Sequence, residues 1–251
     1  MVSGWPFPFW VAHRGAGKLA PENTLAALRV GAAHGWRAFE CDVKLSRDGV
    51  PFLLHDATLE RTTPQTGVAG ERTWAELSRL DAGSWHSRAF AGETLPTLDA
   101  TARYVQCNGF ALNVEIKPTP GRERETGLAV GAACAALWHG DDSPLLFSSF
   151  RPDALQGALE SAPHIPRALL IDTLWDGWFA MAQSLECVAV VTNHALMDTT
   201  LVAQLQGAGL RALCYTVNDA AEARRLTALR VDGLITDAVD RFSPAVPGVR
   251  S

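Results

Sequence analysis

Apolar residues along most of this chain gather into short continuous runs, each followed by a stretch with apolar residues at helical spacing. The strand candidates are residues 10 to 15, 38 to 43, 110 to 117, 145 to 150, 167 to 172, 188 to 193, 212 to 217 and 233 to 237. Helical patterns occupy residues 126 to 137, 152 to 160, 174 to 184, 199 to 207 and 219 to 229, and Leu25, Leu28 and Ala32 mark another that stops near Gly35. Unbroken apolar strands alternating with helices predict an α/β fold with a parallel sheet covered on both faces. About eight strand–helix repeats predict a (β/α)8 TIM barrel. An open doubly wound sheet is the second choice. Against it, no G-x-G-x-x-G follows a strand and no G-x-x-x-x-G-K-[ST] occurs.

The rhythm breaks once. Residues 38 to 56 read as two strands joined by a turn at Asp48-Gly49, and from 57 to 109 no buried strands alternate. Turn residues, the short helix Trp74-Ala75-Glu76-Leu77 and a helix running to about Cys107 take their place. This predicts a small insertion after the second strand, over one face of a single domain spanning 1–251. At 251 residues the chain has the usual size of one such barrel.

Composition narrows the partners. A net charge of −5, with no Lys/Arg run, argues against nucleic-acid binding, and an anionic substrate must then meet local positive groups. The five cysteines (Cys41, Cys107, Cys134, Cys187 and Cys214) lack C-x-x-C spacing and read as reduced core thiols of a cytoplasmic protein. The apolar N-terminus is broken by Pro6 and Pro8 and has no basic start. It reads as a tail covering the bottom of the barrel, with no signal peptide and no stable membrane anchor.

Polar residues collect at the carboxyl ends of the strands, which share one face in a barrel. Glu40 and Asp42 lie two apart on one face of an apolar strand, and Asn113, Glu115 and Lys117 share a face of another. Carboxylates on buried strands are costly unless a cation pairs with them. A structural pair of Glu115 with Lys117 leaves Glu40, Asp42, His13 and His55 unexplained. Three carboxylates suit a hard divalent cation, Mg²⁺ or Ca²⁺. His13 and His55 can serve as an acid and a base, and Arg14 and Lys117 can hold an anion. Together they describe phosphoryl ester chemistry. Asp172, Asn193 and Asp237 read as helix caps, and Ser148 and Ser149 as loop hydroxyls, since no G-x-S-x-G surrounds them.

The chain resembles the glycerophosphodiester phosphodiesterase family over nearly its whole length. The resemblance rests on His13-Arg14-Gly15, Pro21-Glu22-Asn23-Thr24, Glu40-x-Asp42-Val43, Asp48-Gly49-x-Pro51 and His55-Asp56. It continues through Leu59-x-Arg61-Thr62-Thr63, Leu95-Pro96-x-Leu98, Glu115-x-Lys117, Ser148-x-Phe150 and Tyr215-Thr216-Val217-Asn218. It implies the same barrel and insertion, a divalent metal on Glu40, Asp42 and Glu115, and His13 with His55 as the acid–base pair. It also implies that Arg14, Lys117 and Tyr215 line the phosphate and substrate. Many members carry Trp where this chain has Tyr215, which is still a flat aromatic wall. The expected reaction is metal-dependent hydrolysis of a small glycerophosphodiester to glycerol 3-phosphate and an alcohol. Attack on a lysophospholipid is the alternative, with Trp85, Phe90, Trp175, Trp178 and Phe179 as candidates for an apolar groove. A non-catalytic barrel that binds a phosphoester is a third reading, disfavoured because every position of the cluster is filled.

Overall fold

Eight parallel strands close on themselves in the computed structural model, which describes residues 5–245. In barrel order they are β1 (Trp10–Ala12), β2 (Ala38–Leu45), β4 (Ala111–Ile116), β5 (Leu145–Ser149), β6 (Arg167–Ile171), β7 (Ala189–Asn193), β8 (Arg211–Tyr215) and β9 (Gly233–Thr236). The β1–β2 pairing at Ala12 and Phe39 completes the ring. A short strand β3 (Pro51–Leu53) stands outside it, antiparallel to the far end of β2. The expected turn joins them: Ser46 N–H donates to Val50 C=O at 3.1 Å, and Gly49 takes a positive φ of 82°.

Side-chain alternation divides each strand between two cores. Phe39, Cys41, Val43 and Leu45 of β2 point outward, and so do Leu112, Val114 and Ile116 of β4. They pack under helices α1 (Leu25–Ala33), α3 (Leu98–Cys107), α4 (Glu123–Leu137), α5 (Pro152–Ser161), α6 (Trp178–Ser184), α7 (Thr199–Gly207) and α8 (Ala220–Ala228). The other parity fills the barrel. Val11, Ala38, Ala111, Leu146, Ala168, Ala189, Val191, Leu213 and Ile235 form a small inner core. Phe7 joins it from the N-terminal side, so the segment before β1 stops the barrel as expected; the first four residues of that tail lie outside the described residues.

Between β3 and α3 the chain builds a third, smaller core of Phe52, Leu54, Leu59, Ala69, Leu77, Ala82 and Leu95. It includes the short helix α2 (Trp74–Leu77), started by a capping box in which Thr73 and Glu76 exchange hydrogen bonds. The α3 part of the 57–109 stretch contributes Leu98, Ala102 and Val105 to the outer core beside the other barrel helices.

Several local expectations change. The helix expected from Leu174 begins at Trp178, because Gly177 takes φ 91° at its start. The residue before that helix is therefore Gly177, and Asp172 caps no helix among the described residues. Asn193 does cap, accepting from Ala195 N–H at 3.0 Å. The cysteines are all unpaired, but Cys107 is exposed at the end of α3 and is not a core thiol. Ser148 and Ser149 are buried strand residues, and the Ser149 hydroxyl donates to Ile116 C=O at 2.7 Å.

Candidate active site

Two steps along β2 carry the chain from core to chemistry. Ala38 belongs to the inner core, and Glu40, Asp42 and Lys44 continue the same inward parity, all buried. In the parallel register Asp42 stands opposite Glu115 of β4. One carboxylate oxygen from each of Glu40, Asp42 and Glu115 lies within 4.8 Å of the others. Glu40 Oε1 and Asp42 Oδ1 are buried and accept no hydrogen bond from the described residues, although Lys117 Nζ lies 3.5 Å from Asp42 Oδ1. Clustered carboxylates with unpartnered oxygens fit a hard, oxygen-loving divalent cation, and the donor set contains no soft sulfur or imidazole.

Without a cation the three acids cannot all ionise cheaply. Burial, then the charge of Asp42, pushes Glu40 up to about 8. The same two causes push Glu115 up to about 7. Asp42 stays ionised and well below the usual range: burial opposes its charge, but Lys117 and Arg14 outweigh burial. Lys117 Nζ lies 3.5 Å from Asp42 Oδ1 and 2.6 Å from Glu115 Oε1, with the Phe150 ring beneath it. Arg14 Nε lies 3.4 Å from Asp42 Oδ2.

The loop after β1 is wound tightly to deliver these groups. Arg14 takes a left-handed φ of 51°, and its N–H donates to Glu40 Oε2 at 2.9 Å. Gly17 lies so close to Asp237 that a Cβ there would stand 2.1 Å from its carbonyl oxygen, so only glycine fits. Asn23, also left-handed, closes a two-way bond with β2: its Nδ2 donates to Asp42 Oδ2 at 2.8 Å, and Asp42 N–H donates back at 3.0 Å.

Each histidine is fixed by a carboxylate on Nδ1. His13 Nδ1 meets Asp237 Oδ1 at 2.6 Å, which corrects the reading of Asp237 as a helix cap. Asn218 holds that carboxylate, donating to its Oδ2 at 3.0 Å. His55 Nδ1 meets Asp56 Oδ1 at 2.7 Å. An ionised carboxylate only accepts, so Nδ1 carries hydrogen in both rings and Nε2 is left for other work. The His13 Nε2 atom lies 3.8 Å from Glu40 Oε2. Burial opposes charge on His13, but the Asp237 bond and the field of Glu40 outweigh it and raise its pKa. For His55 burial wins, helped by Lys117 and Arg14 against Asp42, and its pKa is lowered.

A cavity of about 610 Å³ opens beside the acids, lined among others by His55, Glu115, Lys117, Phe150, Asp172 and Trp175. Tyr215 is half-buried, edge-on to Phe150 at 5.6 Å. Of the five aromatics read as a possible apolar groove, Trp175 alone lines this cavity; Trp178 is core, Phe179 packs on the core, and Trp85 and Phe90 belong to the 57–109 stretch. Sequence reasoning passed over Lys44, although it shares the parity of Glu40 and Asp42. Lys44 is 1% exposed, donates to Lys117 C=O at 3.0 Å, and is held down to about 8 by burial. Glu22, Asn23, Asp56 and Arg61 stand in the quoted motifs, but their partners are visible only in three dimensions. No helix among the described residues is long and apolar enough to cross a membrane.

Comparison with known proteins agrees with this geometry. The family model for the glycerophosphoryl diester phosphodiesterase family matches residues 13–241. A glycerophosphodiester phosphodiesterase of Caldanaerobacter subterraneus subsp. tengcongensis is 32% identical, covering 90% of this chain and 93% of its own. The structure of an Oleispira antarctica phosphodiesterase in complex with the product sn-glycerol-3-phosphate superposes with a TM-score of 0.87 at 35% identity. That match covers 94% of this chain and 95% of the other. A glycerophosphodiester phosphodiesterase from Agrobacterium tumefaciens gives a TM-score of 0.77 at 28% identity, covering 96% and 100%. A barrel whose mouth gathers carboxylates, two histidines and two cations, matched over almost its whole length, belongs to the glycerophosphoryl diester phosphodiesterase family, whose enzymes hydrolyse glycerophosphodiesters.

Proposed function

We propose that this enzyme cleaves small glycerophosphodiesters to glycerol 3-phosphate and an alcohol, using a divalent cation, Mg²⁺ or Ca²⁺, held by Glu40, Asp42 and Glu115. The observation that carries the reading is the acidic cluster with its unpartnered oxygens, flanked by two histidines that are each locked by a carboxylate. The product bound in the Oleispira antarctica phosphodiesterase, at 35% identity, supports the choice of product.

When bound, the cation supplies Lewis-acid polarisation of the phosphoryl oxygens. The chain's own groups do the rest. Arg14 and Lys117 balance negative charge on the phosphoryl group as it builds. His55, with its lowered pKa, is neutral near pH 7 and accepts a proton at Nε2 from the attacking hydroxyl. His13, with its raised pKa, keeps a proton at Nε2 and gives it to the leaving alkoxide. Tyr215 and Phe150 form an aromatic wall for the organic part of the substrate. The unpaired cysteines suit a reducing compartment, and we place the enzyme in the cytoplasm on that ground.

The test is a matrix of metals and substrates. Protein stripped of metal receives Mg²⁺, Ca²⁺ or Mn²⁺, then glycerophosphocholine, glycerophosphoethanolamine, glycerophosphoglycerol or a lysophospholipid. Release of glycerol 3-phosphate with at least one hard cation is expected. Turnover without added metal, or none on any glycerophosphodiester, overturns the reading.

A further inference from the structure

One guanidinium touches the supports of both sides of the site. Arg61 Nε donates to Asp56 Oδ2 at 2.5 Å. Its two terminal nitrogens donate to Glu22, at 2.7 Å to Oε2 and 2.8 Å to Oε1. Asp56 is the carboxylate that holds His55 Nδ1. Glu22 Oε1 is also the acceptor of Arg14 Nη1 at 2.9 Å. The contacts therefore run in one line, from His55 through Asp56, Arg61 and Glu22 to Arg14, and Arg14 ends beside Asp42.

The arrangement is built to be rigid at its middle. Arg61 rides on a turn anchored by Leu59, which is buried in the small third core. The Thr63 hydroxyl donates to Leu59 C=O at 2.9 Å, and Ala69 N–H ties back to Ala57 C=O at 2.9 Å. The Arg61 side chain itself is 43% exposed, so it adds little to the core. Its planar fork meets Glu22 with two parallel N–H groups while Nε reaches Asp56, a fixed geometry that a lysine ammonium does not reproduce.

We propose that Arg61 is a positioning residue, fixing the His55–Asp56 pair and the Glu22–Arg14 pair in one geometry so that the segment after β3 completes the active site. The inference rests on the roles proposed above for His55 and Arg14. Arg61 touches no reacting atom. It acts by holding Asp56 against His55 Nδ1 and Glu22 against Arg14. Its charge also takes part of the Asp56 charge away from the imidazole: Asp56 lies at about 2, where burial is outweighed by its bonds to Arg61 and His55. The other charged groups facing His55 are Asp42, Lys117 and Arg14, with Lys44 and Glu115 in the same cavity. Of these, Arg14 is linked to Arg61 through Glu22, so E22Q separates that branch from the Asp56 branch.

The test uses the whole metal-loaded enzyme and compares R61M, R61K, E22Q and D56N. R61M should lose roughly 10–100-fold in kcat/KM, the range for outer groups that orient a reactive side chain. With Arg61 gone, the Asp56 charge acting on His55 changes in both strength and position, so the acid limb of the kcat/KM profile should move. E22Q should raise KM through Arg14 and leave that limb in place. R61K should recover part of the loss, because it keeps the charge but not the fork. R61M combined with D56N should cost no more than D56N alone for the His55 branch. Thermal unfolding separates positioning from folding, and R61K carries the same readouts if R61M does not fold. Full activity in R61M, an unmoved acid limb, or losses that simply multiply would overturn the inference. H55A distinguishes the two levels. Near-normal turnover in H55A removes the histidine assignment itself, whereas an inactive H55A beside a fully active R61M removes only the role of Arg61.

Discussion

His13 and His55 are held alike at Nδ1, by carboxylates at 2.6 and 2.7 Å, but they stand on different foundations. His13 follows β1, and its partner Asp237 follows β9, the neighbouring barrel strand. Asn218, after β8, closes that group from the next strand over. His55 follows β3, outside the barrel, and its partner is the next residue in the chain. Its second support comes from Arg61 in the segment beyond. The barrel builds one half of the site from long-range register; the outer segment builds the other from a local turn. The surroundings also push the two imidazoles in opposite directions, His13 up and His55 down. The proposed mechanism uses that difference, with His13 as the group that keeps its proton and His55 as the one free to take it.

The strongest way to break this division is to remove either ring. H13A and H55A should each lose roughly 10²–10⁴ in turnover, the span for general acid–base groups. Steady-state kinetics on a glycerophosphodiester with metal saturating is the measurement. If one variant turns over near normally, the comparison reduces to a single histidine and the proposed pairing is wrong.

How much of this was legible in the sequence follows the same line. Barrel strands announce themselves, since strands buried on both faces read as continuous apolar runs. The inward parity of Glu40 and Asp42 follows from their spacing of two, and Glu115 was found by the same rule. Lys44 obeys that rule and was still missed, because the strand was expected to end at 43 and its acceptor, Lys117 C=O, follows a different strand. Asp237 was misread because a lone Asp after a strand usually caps a helix. Its link to His13 spans 224 positions, and no local pattern can show that. The late start of α6 was hidden because Gly177 looks like an ordinary loop residue until its φ of 91° is known.

Between the two histidines lies the acidic cluster, and metal removal tests it. Glu40 and Glu115 are raised to about 8 and 7. A carboxyl whose folded pKa is raised binds more protons folded than unfolded, so stability falls as pH climbs from the unfolded value, near 4.5, through the folded one. The metal-free protein should therefore lose thermal stability between about pH 5 and 8. A cation that replaces those protons should stabilise most at the upper end. At 100 times its dissociation constant the gain is about 2.7 kcal/mol, on the order of 5–10 °C for a chain of this length. A metal-induced shift that is absent, or larger at pH 5 than at pH 8, would count against the cluster as the metal site.

Replacing the supports gives a smaller effect that sharpens the contrast. D237N and D56N keep the shape of each anchor but remove the charge that selects the tautomer. Both should reduce kcat/KM by roughly 10–100-fold. D237N should be the more severe. Asp237 sits in a network with Asn218 and Thr236, whereas the Asp56 side chain is 30% exposed and water can replace part of its bond. D237N should also lower the melting temperature, since Asn218 Nδ2 loses a charged acceptor. Equal losses in the two variants would mean that the foundations do not differ in consequence.

The finest test lies in the pH profile. In the proposed mechanism His55 must be neutral and His13 protonated, so kcat/KM should rise as pH passes the lowered pKa of His55 and fall as it passes the raised pKa of His13. Each limb should answer only to its own anchor. D237N removes the hydrogen bond that raises His13, so the alkaline limb should move to lower pH while the acid limb stays. D56N removes a group that raises His55, so the acid limb should also move to lower pH, with the alkaline limb in place. These shifts are modest in rate, but their assignment is strict. If D237N moved the acid limb, or D56N the alkaline one, the acid and base roles would have to be exchanged between the two histidines.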